Sequence, residues 1–412
     1  MKTVLVLGGG VAGTAAALTA ARGAARVVLL DGGTGASTLA TGALDDAPWM
    51  QAPRPIDPVS TTARVLLDAL AGYALPAAGA LIATTAGVLR PARGHDRALL
   101  DLAPFAGRHV GVVGCDRPEW DAAAFARSWG DGFTPLEATV LRHVDERMLP
   151  AADFAARHDD EARLAWLAER LRDALARAGT RFDALLVPSS LGVEAARAQA
   201  LSALVGLPCG EAAASPGGPS GLRFERARDR ALAAASVTRA TGRATRVERH
   251  GERWHVALAD GAALEATAVV LAVGGLVGGG LEYAPGEAAE ASALPPASRP
   301  PFRLTIDIPA AKLGAHGRPL ETPGSLFGIP PESLAWPFTP DGMMERVGVM
   351  VDEDGRAAPT LYAAGETVAD APRTWLRALD SGARAGSAAA RDALTSTAER
   401  PPSPSARPAS RP

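Results

Sequence analysis

Hydrophobic positions along this chain come in short dense blocks separated by glycine-rich turns. Thr3 to Leu7 (TVLVL) and Arg26 to Leu30 (RVVLL) are continuous apolar runs rich in β-branched residues. That pattern predicts strands buried on both faces of a parallel sheet. Between them, TAAALTAARG after Gly13 is Ala-rich and free of proline, which predicts a helix ended by Gly23. Ser60 to Leu75 reads as another helix. RHVGVVG near 108–114 and DALLVPS over 183–189 read as further buried strands. Between these two, Ala162 to Ala178 sets Leu and Trp at helical spacing with charges on the other face. Ala244 to Val273 then alternates through three strands at HGE and ADGA turns, the last running into Gly274 and Gly275. Thr360 to Ala364 is a short strand ending on Gly365 and Glu366, and ARAGSAAARDAL after Ser381-Gly382 is an Ala-rich helix. Residues 396–412, rich in Pro, Ser and Arg, lack the apolar content for a core and are expected to be a disordered tail.

The first turn carries chemistry. Gly8, Gly10 and Gly13 stand in G-x-G-x-x-G register between a strand and a helix. In that setting the first glycine permits a tight turn and the second lets a diphosphate approach the backbone. The third lets the helix pack against the strand. The diphosphate sits at the helix N-terminus, where free N–H groups and the helix dipole favour anions, so Val11 and Ala12 join the expected contacts. Asp31 ends the second strand, placed to accept hydrogen bonds from ribose hydroxyls. Gly32 to Asp46 is a turn-rich loop in which Ser37 and Thr41 offer hydroxyl donors. A dinucleotide ligand is the expectation.

Composition narrows the remaining classes. At 412 residues the chain is long enough for two interleaved domains, and a net charge of −3 gives no global attraction to nucleic acid or an anionic membrane. Lysine occurs only at Lys2 and Lys312, so arginine carries nearly all positive charge. Cys115 and Cys209 are too few for an iron–sulfur cluster or a Cys-based zinc site, and no metal is expected. Two cysteines and the absence of a secretory signal fit a cytoplasmic protein. Ala69 to Leu89 lacks charge, but Pro76, three glycines and two threonines argue against a membrane helix.

Taken together these segments resemble a flavin-dependent oxidoreductase with a split nucleotide-binding domain, most similar to the B-type flavoprotein component of anaerobic glycerol-3-phosphate dehydrogenase. Several stretches carry the likeness. They are Thr41-Gly42-Ala43-Leu44-Asp45, the Thr-x-x-Gly-x-x-Arg segment from Thr84 to Arg90, and Gly221-Leu222-Arg223 ahead of a helix. VVLAVGGLVGGGL, VGVMVDEDGRA and the strand ending in Ala364-Gly365-Glu366 complete it. Departures fall at Asp380 to Ala383, where the family has a run of glycines, and over 310–345. The resemblance implies an α/β fold with a split Rossmann-like FAD-binding domain (1–92 and 226–395), a β-meander and an inserted α/β lobe (93–225). It adds Gly42, Thr245, Ala272, Gly274, Gly365, Glu366, Gly382 and Ala383 to the cofactor contacts. FAD is the implied cofactor, with FMN as the alternative. The implied reaction is oxidation of sn-glycerol 3-phosphate to dihydroxyacetone phosphate, with electrons passing to quinone through partner subunits that hold the chain peripherally at the inner face of the membrane. A flavin-binding relay or assembly subunit without its own substrate stays open beside it, as does a dehydrogenase of another small anion. A nicotinamide dehydrogenase needs no C-terminal Gly365-Glu366 feature.

Hydride transfer to a flavin requires position, a proton acceptor and charge for an anionic substrate. Arg90 is the candidate for the anion because a guanidinium fork suits phosphate or carboxylate. His95, in the RGHDR loop, is the candidate base. Each has a plainer reading, as a surface arginine in an Arg-rich chain and as a solvated or core histidine. Cys115 reads as an inert structural thiol, and Trp336 and Phe338 as core aromatics that also suit a flavin wall.

Overall fold

A computed structural model describes residues 2–33, 35–44, 60–70, 72–214, 217–283, 302–315, 317–320, 346–371 and 373–395. Trp336, Phe338, Asp45 and the C-terminal tail lie outside these residues. In chain order, β1 (Thr3–Leu7), α1 (Val11–Arg22), β2 (Arg26–Asp31) and α2 (Thr61–Leu70) open the fold. The short strand β3 (Gly94–Asp96) leads to β4 (Val110–Val113), β5 (Phe133–Leu136), α3 (Glu161–Arg177), β6 (Ala184–Val187) and β7 (Cys209–Glu211). Helix α4 (Pro219–Ala234) returns the chain to β8 (Thr238–Thr241), β9 (Ala244–His250), β10 (Arg253–Leu258), β11 (Ala263–Ala266) and β12 (Ala268–Leu271). The chain then closes with β13 (Arg356–Ala358), β14 (Leu361–Ala363) and α5 (Trp375–Thr395).

The principal sheet has the order β8-β2-β1-β12-β14-β13, parallel except for its last pair. Alternation along β1 explains why both faces must be covered. Val4 and Val6 enter one core with α1, α2, α4 and α5, whereas Leu5 and Leu7 enter another beneath the meander with Trp254 and Val256. The same logic seats α2, whose Ala63, Leu66, Leu67 and Leu70 form one buried stripe. α1 and α5 touch backbone to backbone. A Cβ on Gly382 would lie 2.1 Å from the Ala12 carbonyl oxygen, and one on Gly386 2.3 Å from that of Ala16.

Residues 110–211 build a second, wholly parallel sheet in the order β7-β6-β4-β5. A buried ion cluster ties it to the first. Arg223 on α4 donates to Asp96 Oδ2 at 2.6 Å, Glu211 Oε2 at 2.8 Å, Ser220 Oγ at 3.1 Å and the Gly192 carbonyl at 2.5 Å. The two carboxylates hold its pKa above the usual arginine range, against the effect of burial. Gly221-Leu222-Arg223 thus lies inside a helix rather than ahead of one, and the 225/226 boundary falls within α4.

Three element boundaries differ from expectation. The helix expected over 60–75 stops at Leu70, because Tyr73-Ala74 pairs with Asp96 and His95. The meander holds three antiparallel strands, but the expected third splits at Thr267, and β12 leaves to pair with β1. The last helix starts at Trp375, six residues before Ser381, where Thr374 accepts from the Arg377 and Ala378 N–H groups through its hydroxyl and carbonyl. Among the described residues no helix is long and apolar enough to cross a membrane; Ala80–Ala83 and Leu89–Ala92 form an antiparallel hairpin instead.

Candidate functional site

A cleft of about 330 Å³ opens along the carboxyl ends of the principal strands, the place where open α/β sheets bind ligands. Its floor is the turn after β1. Gly8 has φ +109°, and a Cβ there would stand 2.2 Å from the Ala272 carbonyl oxygen, so only glycine fits. Gly10 caps α1 with an extended backbone and lines the cleft. Gly13 lies behind the wall: its Cβ would fall 1.8 Å from the Gly8 carbonyl oxygen, which is the close helix–strand contact expected of it. The Val11 N–H donates to Ser37 Oγ at 3.0 Å, drawing the loop after β2 over the helix N-terminus.

Asp31 closes one side. Its Oδ1 accepts from the Gly33 N–H at 3.2 Å, and its Oδ2 lies 3.3 Å from Arg239 and 3.6 Å from Arg228. Gly242, Arg243 and Ala244 stand in the wall, with the Gly242 N–H on the Asp31 carbonyl at 3.1 Å. On the other side Gly365, at φ +68°, donates its N–H to Ser381 Oγ at 2.9 Å. Gly274 donates to the buried Thr367 hydroxyl at 3.1 Å. Glu366 lines the cleft, and its Oε2 is buried with no hydrogen-bond partner among the described residues. Arg373, Thr374 and Trp375 complete this wall; the indole packs 5.0 Å from the Tyr73 ring.

Width decides what fits. Asp31 ends β2, and Gly365-Glu366 follow β14, with β1 and β12 between them. At about 4.8 Å per strand the cleft crosses about 14 Å of sheet, room for a nucleotide laid across the strand ends. The glycine cradle, the helix N-terminus and Asp31 suit an ADP moiety. The orphaned Glu366 oxygen suits a hydroxyl donor at the far side.

Of the sequence-predicted contacts, Gly8, Gly10, Val11, Ala12, Asp31, Gly32, Ser37, Ala272, Gly274, Gly365 and Glu366 line this cleft. Thr41, Gly42, Thr245, Gly382 and Ala383 do not. Gly42 instead anchors its loop, its carbonyl accepting from the Asp96 N–H at 2.8 Å. Thr245 is exposed, donating its hydroxyl to the Ala257 carbonyl at 3.3 Å. Gly382 and Ala383 serve the α1–α5 contact and core. Both catalytic candidates also stand off the wall. His95 is buried in β3, its Nδ1 2.9 Å from the Asp96 carbonyl oxygen, and Arg90 lies on the 80–92 hairpin. Sequence reasoning passes over Gly242, Arg243, Arg373 and Trp375. The glycine directly after a short Thr-rich strand, TRATG, is the available signal for the first. Among the described residues no group of three metal-ligating side chains occurs.

The model of an FAD-NAD(P)-binding family matches residues 222–276, the stretch that runs from α4 through the meander to the glycines of the cleft wall. No curated protein matches the chain. Among solved structures, a thioredoxin reductase from Gloeobacter violaceus is 12% identical over 97% of this chain and 98% of its own, with a TM-score of 0.35. A GidA-related protein from Thermus thermophilus is 12% identical over 95% and 98%, with a TM-score of 0.31. An iminodiacetate oxidase from Chelativorans sp. BNC1 is 18% identical, with a TM-score of 0.26; the match takes in 68% of this chain and 59% of that protein's length. The strand order is that of an open α/β sheet, the 222–276 match is to an FAD-NAD(P)-binding model, and FAD is the cofactor the cleft supports.

Proposed function

We propose that this protein is an FAD-dependent oxidoreductase acting on a small anionic substrate. One observation carries the reading: a single cleft joins a ribose-binding acid and phosphate cradle at one side to Gly365-Glu366 at the other, across four strand ends. FAD supplies the acceptor of a hydride equivalent; everything else falls to this chain. Gly8, Gly10 and the α1 N-terminus would hold the diphosphate, Asp31 would orient the adenosine ribose, and Glu366 Oε2 would accept from a hydroxyl at the flavin side. Arg373, in the wall beside that side, supports an anionic substrate better than Arg90 does. The likeness to a glycerol-3-phosphate dehydrogenase component supports sn-glycerol 3-phosphate as that substrate and quinone, reached through partner subunits, as the acceptor.

The positions of His95 and Arg90 favour a second reading, a flavin-binding relay subunit without its own substrate. One experiment separates the two. The flavin-loaded chain is mixed anaerobically with sn-glycerol 3-phosphate and with other polyol phosphates, and the flavin absorption band is followed. Bleaching by a polyol phosphate supports the enzyme. A band that bleaches only with a chemical reductant leaves the relay.

A further inference from the structure

Helix α4 carries an arginine committed to the nucleotide turn. Arg228 is 7% exposed, and its Nη1 donates to the Gly9 carbonyl at 3.0 Å. The same nitrogen lies 3.6 Å from Asp31 Oδ2, and Nε donates to Asp229 Oδ1 at 2.8 Å. Gly9 in turn packs flat on the Asp31 carboxylate, since a Cβ there would stand 2.8 Å from its Cγ. Gly9, Asp31 and Arg228 therefore close a triangle at the edge of the cleft.

Two consequences follow from elementary geometry and charge. In a planar trans peptide the C=O and N–H point in opposite directions. Holding the Gly9 carbonyl toward α4 therefore turns the Gly10 N–H away from α4, on a residue that lines the cleft. The Asp31 side chain is only 13% exposed, so its ionised form needs a nearby cation. Arg239 supplies one from a side chain 39% exposed, where water screens it. Arg228, at 9%, is the buried one.

We propose that Arg228 is a positioning residue for the adenosine and diphosphate half of the dinucleotide, acting through Gly9 and Asp31 without touching the ligand. This rests on the FAD reading above. Because FMN keeps one phosphate but lacks the second phosphate and the adenosine, FAD and ADP binding depend on Arg228 more strongly than FMN binding does.

The test uses the full chain, stripped of flavin, with R228M, R228K and D31N. FAD and FMN are titrated by fluorescence, ADP by calorimetry, and each variant's Tm is recorded. R228M is expected to weaken FAD and ADP by about tenfold or more, the scale of a hydrogen bond to a charged group. FMN should lose less than FAD, because it has one phosphate for the Gly10 turn but no adenosine ribose for Asp31. R228K should recover part of the loss, keeping the charge without the fork. R228M and D31N together should cost less than their sum, because both act through one carboxylate. Equal losses for FAD and FMN, or a loss of FAD that R228K repeats only in step with a fallen Tm, would overturn the proposal. So would unchanged FAD and ADP affinity in R228M beside a wild type that binds both. A wild type that binds neither FAD nor ADP overturns the dinucleotide reading itself, which is a distinguishable result.

Discussion

Gly10→Ala and Gly13→Ala, three residues apart, should fail in opposite ways. At Gly13 an ideal Cβ lands 1.8 Å from the Gly8 carbonyl oxygen and 2.9 Å from its carbon, both rigid backbone. An ordinary contact needs 3.4 Å or more, so α1 must lift well away from β1. That movement would also open the α1–α5 contact, where Gly382 and Gly386 ride on Ala12 and Ala16. Overpacking a core typically costs about 1–3 kcal/mol, and a rigid backbone clash along a helix interface belongs at or above the upper end. At Gly10 the nearest atom to a new Cβ is Ser37 Oγ at 3.1 Å, and φ is −70°, which alanine adopts freely. The entropic gain of Gly→Ala in such a conformation, about 0.4–1 kcal/mol, offsets the poorer N-cap, about 0.5–1 kcal/mol. Stability should then stay within about 1 kcal/mol of wild type, while the methyl stands where the diphosphate must approach. Urea unfolding and FAD titration on both variants check this. A Gly13→Ala protein as stable as wild type, or a Gly10→Ala protein that binds FAD normally, refutes the reasoning.

Asp31→Ala should weaken FAD by about 1.5–3 kcal/mol and leave FMN affinity unchanged, as parallel titrations will show. Arg223→Ala strands the buried Asp96 and Glu211 and should cost about 3–5 kcal/mol in urea unfolding; wild-type stability would contradict the central role given to this cluster. His158 is fully buried, and burial together with the nearby Arg163 lowers its pKa to about 4 from the usual 6.5. The folded state then refuses a proton that the unfolded chain accepts. Stability present above pH 6.5 is therefore lost as pH falls toward about 4. His158→Leu should flatten that loss by about 2 kcal/mol at about pH 5; identical pH profiles would speak against it.

The first βαβ unit is legible because strand, glycine turn, helix, strand and acid follow one another without a break, and Gly13 answers Gly8 within the same turn. Ser37 follows from the hydroxyl-rich loop after β2, and Ala272, Gly365 and Glu366 from resemblance; all four line the cleft. What escapes is non-local. Arg228 and Arg239 meet Asp31 only because α4 and β8 return beside β2 after the whole second sheet has been made. Resemblance makes Gly382 a ligand contact, but the structure sets it against α1, where a Cβ would meet the Ala12 carbonyl oxygen at 2.1 Å, and sequence does not say which partner a glycine makes room for. His95 and Arg90 are candidates by residue type. Strand pairing at β3 and the 80–92 hairpin, which no periodicity displays, carries them off the wall.

The central claim is that one cleft, spanning four strand ends, holds one FAD. Denaturing the purified protein and recording the absorption spectrum and mass of what it releases tests this most directly. Stoichiometric FAD is the predicted result. Release of FMN would mean that Asp31 and the Gly242 wall face no adenosine, and a protein that carries no flavin and cannot be reconstituted with one would contradict the account.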